Sequence, residues 1–308
     1  MITSRRWSYR CKVNKRIKEA AMAKNHVPRI PPKKILVPLD VTDASVAAWK
    51  QAEILGQRFA ATVEGLYVQE WLNAAVGVGM GLGPEPFLSE KAKRGALNFL
   101  RGRLGKNADI RLVEGPIEKT IVSWGRRLGF DLIVMGTHGH TGIERAVKGS
   151  VAEAVVRHSE VPVLVVKRPL SSFKTVLAPV NLAPYSINGL HYAARLAAAF
   201  GARLKILYVL NSPFPPKAGA VKDAKHLLDK AVAKLSEPLR RACGASTQLA
   251  FGGAAGEIAS AAKKTDLVVL SAHRKGFLSE AILGSTVERV MRHSSCPVLA
   301  VPTGETKP

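Results

Sequence analysis

The chain has 308 residues, 47% hydrophobic and 22% charged, which excludes global disorder and, at about 150 residues per domain, anticipates two domains. Three cysteines (Cys11, Cys243 and Cys296) without ligand spacing exclude a disulfide-stapled scaffold and point to a reducing, cytoplasmic setting. The surplus of 46 Lys and Arg over 23 Asp and Glu favours anionic contacts and is silent on fold, while no apolar run is long enough for a membrane helix.

Residues 1–34 carry 11 basic residues and one acid, against 17 and 14 in 35–170 and 18 and 8 in 171–308. The opening stretch has few aliphatic residues, ends in prolines and lacks the apolar core of a signal peptide. Residues 1–32 are expected to be a disordered basic extension, with Met22 an alternative start to Met1. The functional alternative is a basic arm that touches nucleic acid, polyphosphate or lipid.

Ordered text begins with Ile35-Leu-Val-Pro-Leu-Asp40, a buried strand ending in a polar residue. Helical spacing follows over 44–59, then a strand over 62–68, a Gly/Pro-rich loop, a helix over 90–104 and a strand over 110–113. A helix over 117–128, a strand over 131–135, a helix over 143–158 and a strand over 161–166 complete the first half. Strands alternating with helices predict a parallel sheet covered on both faces, a doubly wound α/β domain.

The text then repeats. Lys34 to Asp40 recurs as Thr175 to Asn181, and Leu66-Tyr-Val68 as Leu207-Tyr-Val209, both offset by 141. Residues 131–166 align without a gap on 266–301, offset by 135, with 16 of 36 positions identical. Two copies of one fold are predicted, at 33–168 and 169–308, the first with extra residues between Gln69 and Leu88. Their last strands, 163–166 and 298–301, are apolar edges expected to pair with each other, with a homodimer as the further option.

Chemistry concentrates after the fourth strand of copy one, in Met135-Gly-Thr-His-Gly-His-Thr-Gly142 and Lys148-Gly-Ser-Val151. Glycines past the carboxyl end of a parallel strand let backbone N–H groups approach an anion. Asp40 ends the first strand on that same edge, where it can accept hydrogen bonds from a ribose or base. Taken singly each glycine reads as a cap; as a set they read as an anion or nucleotide pocket.

The spacing G-x2-G-x9-G-[S/T] over Gly136, Gly139, Gly149 and Ser150 resembles the nucleotide signature of the universal stress protein family. The resemblance covers about 34–168 and 174–302, as in tandem members. It implies a flavodoxin-like, adenine nucleotide α-hydrolase-like five-stranded sheet in each half, pairing through the last strands, and bound ATP, with or without Mg2+. By position, Asp40 would touch the nucleoside, Gly136 and Gly139 the phosphates, Gly149 and Ser150 would hold them, and Val151 would add its amide. Copy two departs: Ser271 stands for Gly136, Arg274 for Gly139 and Asn181 for Asp40, while Gly284-Ser285 remain. One adenine nucleotide per chain, in copy one, is the expectation.

Other signals weigh less. The glycines of 77–83 lack a following helix, and His138-Gly-His140 lacks a third ligand. His138 and His273 occupy matched positions that favour a structural hydrogen bond, and Trp49, Trp71 and Trp124 read as packing residues. His158 and His293 read as caps near helix C-termini. No Walker A run or catalytic triad is present, so a regulatory nucleotide-binding protein is favoured over a slow ATPase or phosphotransferase. An anion- or nucleic-acid-binding stress protein without nucleotide is the third reading.

Overall fold

The computed structural model describes residues 29–69, 90–136, 151–212, 214, 216–273 and 284–303. In the first half β1 (Lys34–Leu39), β2 (Thr62–Gln69), β3 (Ile110–Glu114), β4 (Leu132–Gly136) and β5 (Val163–Val166) alternate with α1 (Asp43–Phe59), α2 (Glu90–Leu104), α3 (Ile117–Arg127) and α4 (Val151–His158). The second half runs β6 (Thr175–Val180), α5 (Pro184–Phe200), β7 (Arg203–Leu210), α6 (Ala218–Ala233), α7 (Glu237–Ala242) and β8 (Ser246–Phe251). It continues with α8 (Ala254–Ala262), β9 (Leu267–His273), α9 (Ser285–His293) and β10 (Val298–Thr303). Element types agree with those read from periodicity, with ends shifted by a residue or two, as helix and strand termini fray. The expected helix start at 143 lies outside the described residues, as does the inserted loop.

The connection between β2 and α2 spans 70–89, whereas that between β7 and α6 spans only 211–217. The second half recovers part of the difference with α7, which has no counterpart in the first half among the described residues.

One ten-stranded sheet results, in the order β3-β2-β1-β4-β5-β10-β9-β6-β7-β8. Strands within each half are parallel, and the join is antiparallel, Val298 facing Val165 and Ala300 facing Val163. The last strands of the two halves are thus the ones that meet, and two apolar edges disappear into the middle of the sheet. Two apolar layers follow from the strands' double-faced burial. One packs beneath α1, α2, α5 and α6, the other beneath α3, α4, α8 and α9, and each runs through both halves.

The seam is close to self-complementary, as a two-fold axis requires. Phe59 and Phe200, equivalent by the 141-residue offset, approach to 5.1 Å between ring centroids. On the other face Arg157 pairs with Glu288 at 3.3 Å and Arg292 with Glu153 at 3.1 Å, a reciprocal exchange between equivalent residues of α4 and α9. Gln51, fully buried, holds the connecting segment by taking Leu170 N–H at 2.8 Å and donating to its carbonyl at 3.3 Å.

The two copies also exchange volume. Trp49 of α1 packs over Gly65 of β2, where a Cβ would meet Leu39 and the indole. At the equivalent positions copy two has Leu190 and Ile206, so a large helix residue over a glycine is traded for two middling ones. Volume-conserving swaps of this kind leave a core close-packed.

Each half is anchored by a carboxylate at the start of its fourth strand. Asp131, buried, accepts N–H bonds from Arg29 (2.8 Å), Lys33 (2.9 Å) and Lys34 (3.1 Å), and Asp266 accepts those of Lys174 and Thr175 (both 2.9 Å). Here the expected disorder of residues 1–32 is corrected at its end: Ile30 packs against the core and Pro32 is buried. Their apolar side chains and the Asp131 bonds offset the ordering cost that excluded a docked segment on composition alone.

Candidate functional site

Pro38 stands in the middle of β1, an internal strand, where a missing N–H should break the ladder. The register removes the conflict. Asp131 N donates to Lys34 O, so the even residues of β1 face β4, yet the β1–β4 pairing ends at Leu36 opposite Ile133. Pro38 therefore turns its nitrogen toward a gap that has already opened. Pro179 repeats this in β6, whose pairing with β9 ends at Leu177 opposite Val268. In each half the central strands separate at their carboxyl ends, where the strand order reverses and open α/β sheets bind ligands.

Asp40 and Gly136 lie on the two lips of this opening in the first half, just after β1 and at the end of β4. Asp40 is exposed, and its Oδ1 accepts from Thr42 N at 2.9 Å and from the Thr42 hydroxyl. Ser45 Oγ donates to the Asp40 carbonyl at 2.8 Å, so the turn into α1 is fixed by side-chain bonds. A Cβ on Gly136 would fall on the backbone carbonyl of Ala44, in the first turn of α1. The close approach that demands glycine there is made by the protein's own helix. Val151 opens α4 and is 39% exposed. Gly139, Gly149 and Ser150 lie outside the described residues, as do His138 and His140.

The second half is built differently at the same lips. Asn181 donates from Nδ2 to the Tyr185 hydroxyl and accepts Ala183 N–H at 3.2 Å, which ties its amide into the turn. Leu182 beside it has φ 66°, a left-handed conformation uncommon for a side-chain-bearing residue. Ser271 fills the place of Gly136, and its hydroxyl occupies the space where a Cβ on Gly189 of α5 would stand. The first half has Ala48 at the position of Gly189, so the serine is matched by a glycine across the contact. Gly284 caps α9 and Ser285 opens it, while Arg274 lies outside the described residues.

Two side chains do more than their expected part. His158 Nδ1 lies 3.1 Å from Ala154 O and 2.6 Å from Glu118 Oε1, so it links α4 to α3 besides capping its own helix. Trp124 is a packing residue that also donates to Glu64 Oε1 at 3.2 Å. Sequence reasoning passed over Asp131 and Gln51. The match of Asp131 with Asp266 was a visible signal for the first, and nothing in the sequence marks the second.

A doubled, doubly wound α/β sheet with an opening at each switch point defines a tandem α/β protein by architecture. The chain belongs to the universal stress protein family, whose family model matches residues 31–167 and again 172–302. It is 36% identical over 143 residues to a universal stress protein of Methanocaldococcus jannaschii, covering 44% of this chain and 83% of that one. A second universal stress protein of the same archaeon is 34% identical over 155 residues, covering 44% and 95%. Among solved structures, a universal stress protein of Archaeoglobus fulgidus superposes with a TM-score of 0.64 at 20% identity, covering 88% of this chain and 98% of that one. The flavodoxin-like architecture is thus shared along nearly the whole described chain. No described helix is long and apolar enough to cross a membrane.

Proposed function

We propose that the first half binds one adenine nucleotide, ATP with or without Mg2+, and that the chain acts as a cytoplasmic, nucleotide-responsive regulatory protein. The supporting observation is the contrast between the two openings. The first has an exposed Asp40 and Gly136 at its lips, and in sequence Gly136 is followed by Gly139, Gly149, Ser150 and Val151. The second carries Ser271 in place of that glycine and the uncharged Asn181 in place of that carboxylate. A glycine-lined strand end leaves backbone N–H groups accessible to phosphates, and a carboxylate on the facing lip suits ribose hydroxyls. Mg2+, where bound, would enter on the nucleotide phosphates.

The test begins with protein purified without added nucleotide, which is denatured and its released nucleotide identified and counted by chromatography. Calorimetric titration of stripped protein is expected to give one ATP site per chain. Gly139→Arg, which copies Arg274, should weaken ATP binding at least about tenfold, or about 1.4 kcal/mol. Two equivalent sites, or unchanged affinity in Gly139→Arg, would remove the assignment to the first half.

A further inference from the structure

The two outer edges of the ten-stranded sheet are not alike. β3 ends one side and carries Arg111, which lies 3.5 Å from Asp109 and 4.0 Å from Glu64, and then Glu114. Charges of this kind protect an edge from pairing. β8 ends the other side with the sequence Ser-Thr-Gln-Leu-Ala-Phe, which has no charge and no proline and is exposed or half-buried throughout.

Its outward groups follow from the register. Phe251 faces Leu210, and Gly252 N donates to Leu210 O. Alternation along a parallel ladder then turns the amides of Gln248 and Ala250 toward β7 and those of Thr247, Leu249 and Phe251 outward. Among the described residues no backbone group bonds to that outer side.

Two further features adjoin this edge. At its carboxyl end a cleft of about 840 Å3 is lined by Phe214, Pro216, Val221 and Phe251 beside Asn211 and Ser212, with Phe214 76% exposed. The helices and turns that flank β8, over residues 217–264, carry nine Lys and Arg against four Asp and Glu. Two copies paired through β8 would bring these cations together, which opposes a second copy as the occupant.

We propose that the outer edge of β8 docks an extended acidic peptide segment, which adds as an eleventh strand and seats an apolar side chain in the Phe214–Phe251 cleft. Main-chain bonds to Thr247, Leu249 and Phe251 supply the register, the cleft supplies an anchor, and the flanking cations select the charge.

The probe is a fluorescein-labelled heptapeptide, Glu-Val-Glu-Phe-Glu-Val-Glu, titrated with the full chain and followed by anisotropy. Two analogues carry N-methyl groups on odd or on even residues, so that one of them blocks the edge-facing amides without altering charge. One N-methyl pattern should raise Kd at least about tenfold while the other changes it little. Thr247→Pro, which removes one outward N–H, should weaken binding of the parent peptide similarly, and Phe214→Ser should weaken it about threefold. Circular dichroism checks that the proline variant is folded, and the N-methyl comparison leaves the protein untouched. Absence of binding, equal binding of both N-methyl analogues, or concentration-dependent self-association abolished by Thr247→Pro would each overturn the proposal.

Discussion

The contact between Gly136 and the first turn of α1 can be tested quantitatively, because the second half contains its counterpart. In Gly136→Ser the new Cβ coincides with the carbonyl of Ala44. That atom belongs to backbone, so no side chain can swing away, and α1 must move at the end that carries the Asp40 turn. Overpacking against backbone costs about 1–3 kcal/mol, and a contact this close belongs at the upper end, about 2–3 kcal/mol. For a chain of this size the loss lowers Tm by about 3–5 °C. Ala48→Gly alone should also destabilise, by about 1 kcal/mol, since Ala48 is fully buried in a helix. The double variant recreates the Ser271–Gly189 arrangement of the second half, so its loss should fall short of the sum by at least about 0.5 kcal/mol. Urea unfolding of all four proteins, fitted with a common slope, gives the coupling. A Gly136→Ser protein as stable as wild type, or strict additivity in the double variant, would refute the packing account.

Ala60 ends α1 at φ 48° where Gly201 ends α5 at φ 66°, so Ala60→Gly should relieve left-handed strain and raise stability by about 0.5–1 kcal/mol, read as a rise in Tm. Of two truncations, one starting at Arg29 and one at Lys34, the second should melt several degrees lower, because it alone removes Ile30, Pro32 and the Arg29 and Lys33 bonds to Asp131; equal melting would show that this docking contributes nothing. Asp131→Asn should cost about 2 kcal/mol in chemical denaturation, as an amide cannot accept three N–H bonds with the strength of a carboxylate. Burial holds the Cys243 thiol above its ordinary value of 9.0, so the unfolded chain ionises first and this contribution to stability declines as pH rises past that value. Native Cys243 should therefore resist alkylation at pH 8 until the chain unfolds, and Cys243→Ser should flatten the alkaline limb of the stability profile.

The doubled fold was legible because two local signals repeat. Short apolar runs alternate with helical spacing, and the stretch 131–166 is written again at 266–301. The lips of the candidate site were legible in part: Asp40 and Gly136 stand on facing strand ends, as their places after apolar runs suggested. What Gly136 touches was not, because its neighbour Ala44 comes from another element and an alanine carbonyl leaves no mark in a sequence. The Trp49–Gly65 exchange with Leu190–Ile206 lies open in the aligned copies, but only as a pair; each position alone looks like an ordinary apolar substitution. Ile30 and Pro32 were hidden by their neighbours, since composition averages over a segment while docking needs only two apolar side chains and one well-placed carboxylate.

The antiparallel join of β5 to β10 fixes a polarity for the whole molecule. Because the strands of the second half run against those of the first, the carboxyl edges of the halves face opposite ways. The Asp40–Gly136 lips and the Phe214–Phe251 cleft accordingly lie at opposite poles, at least the length of a strand apart, about 17 Å for five residues. Occupants of the two ends cannot touch, so any influence of one on the other must cross the seam through material that both halves share. Phe59 against Phe200 and the Gln51 grip on Leu170 are part of that material, and both begin on α1, the helix whose first turn closes over Gly136. One helix therefore reaches from the first pole to the seam between the halves.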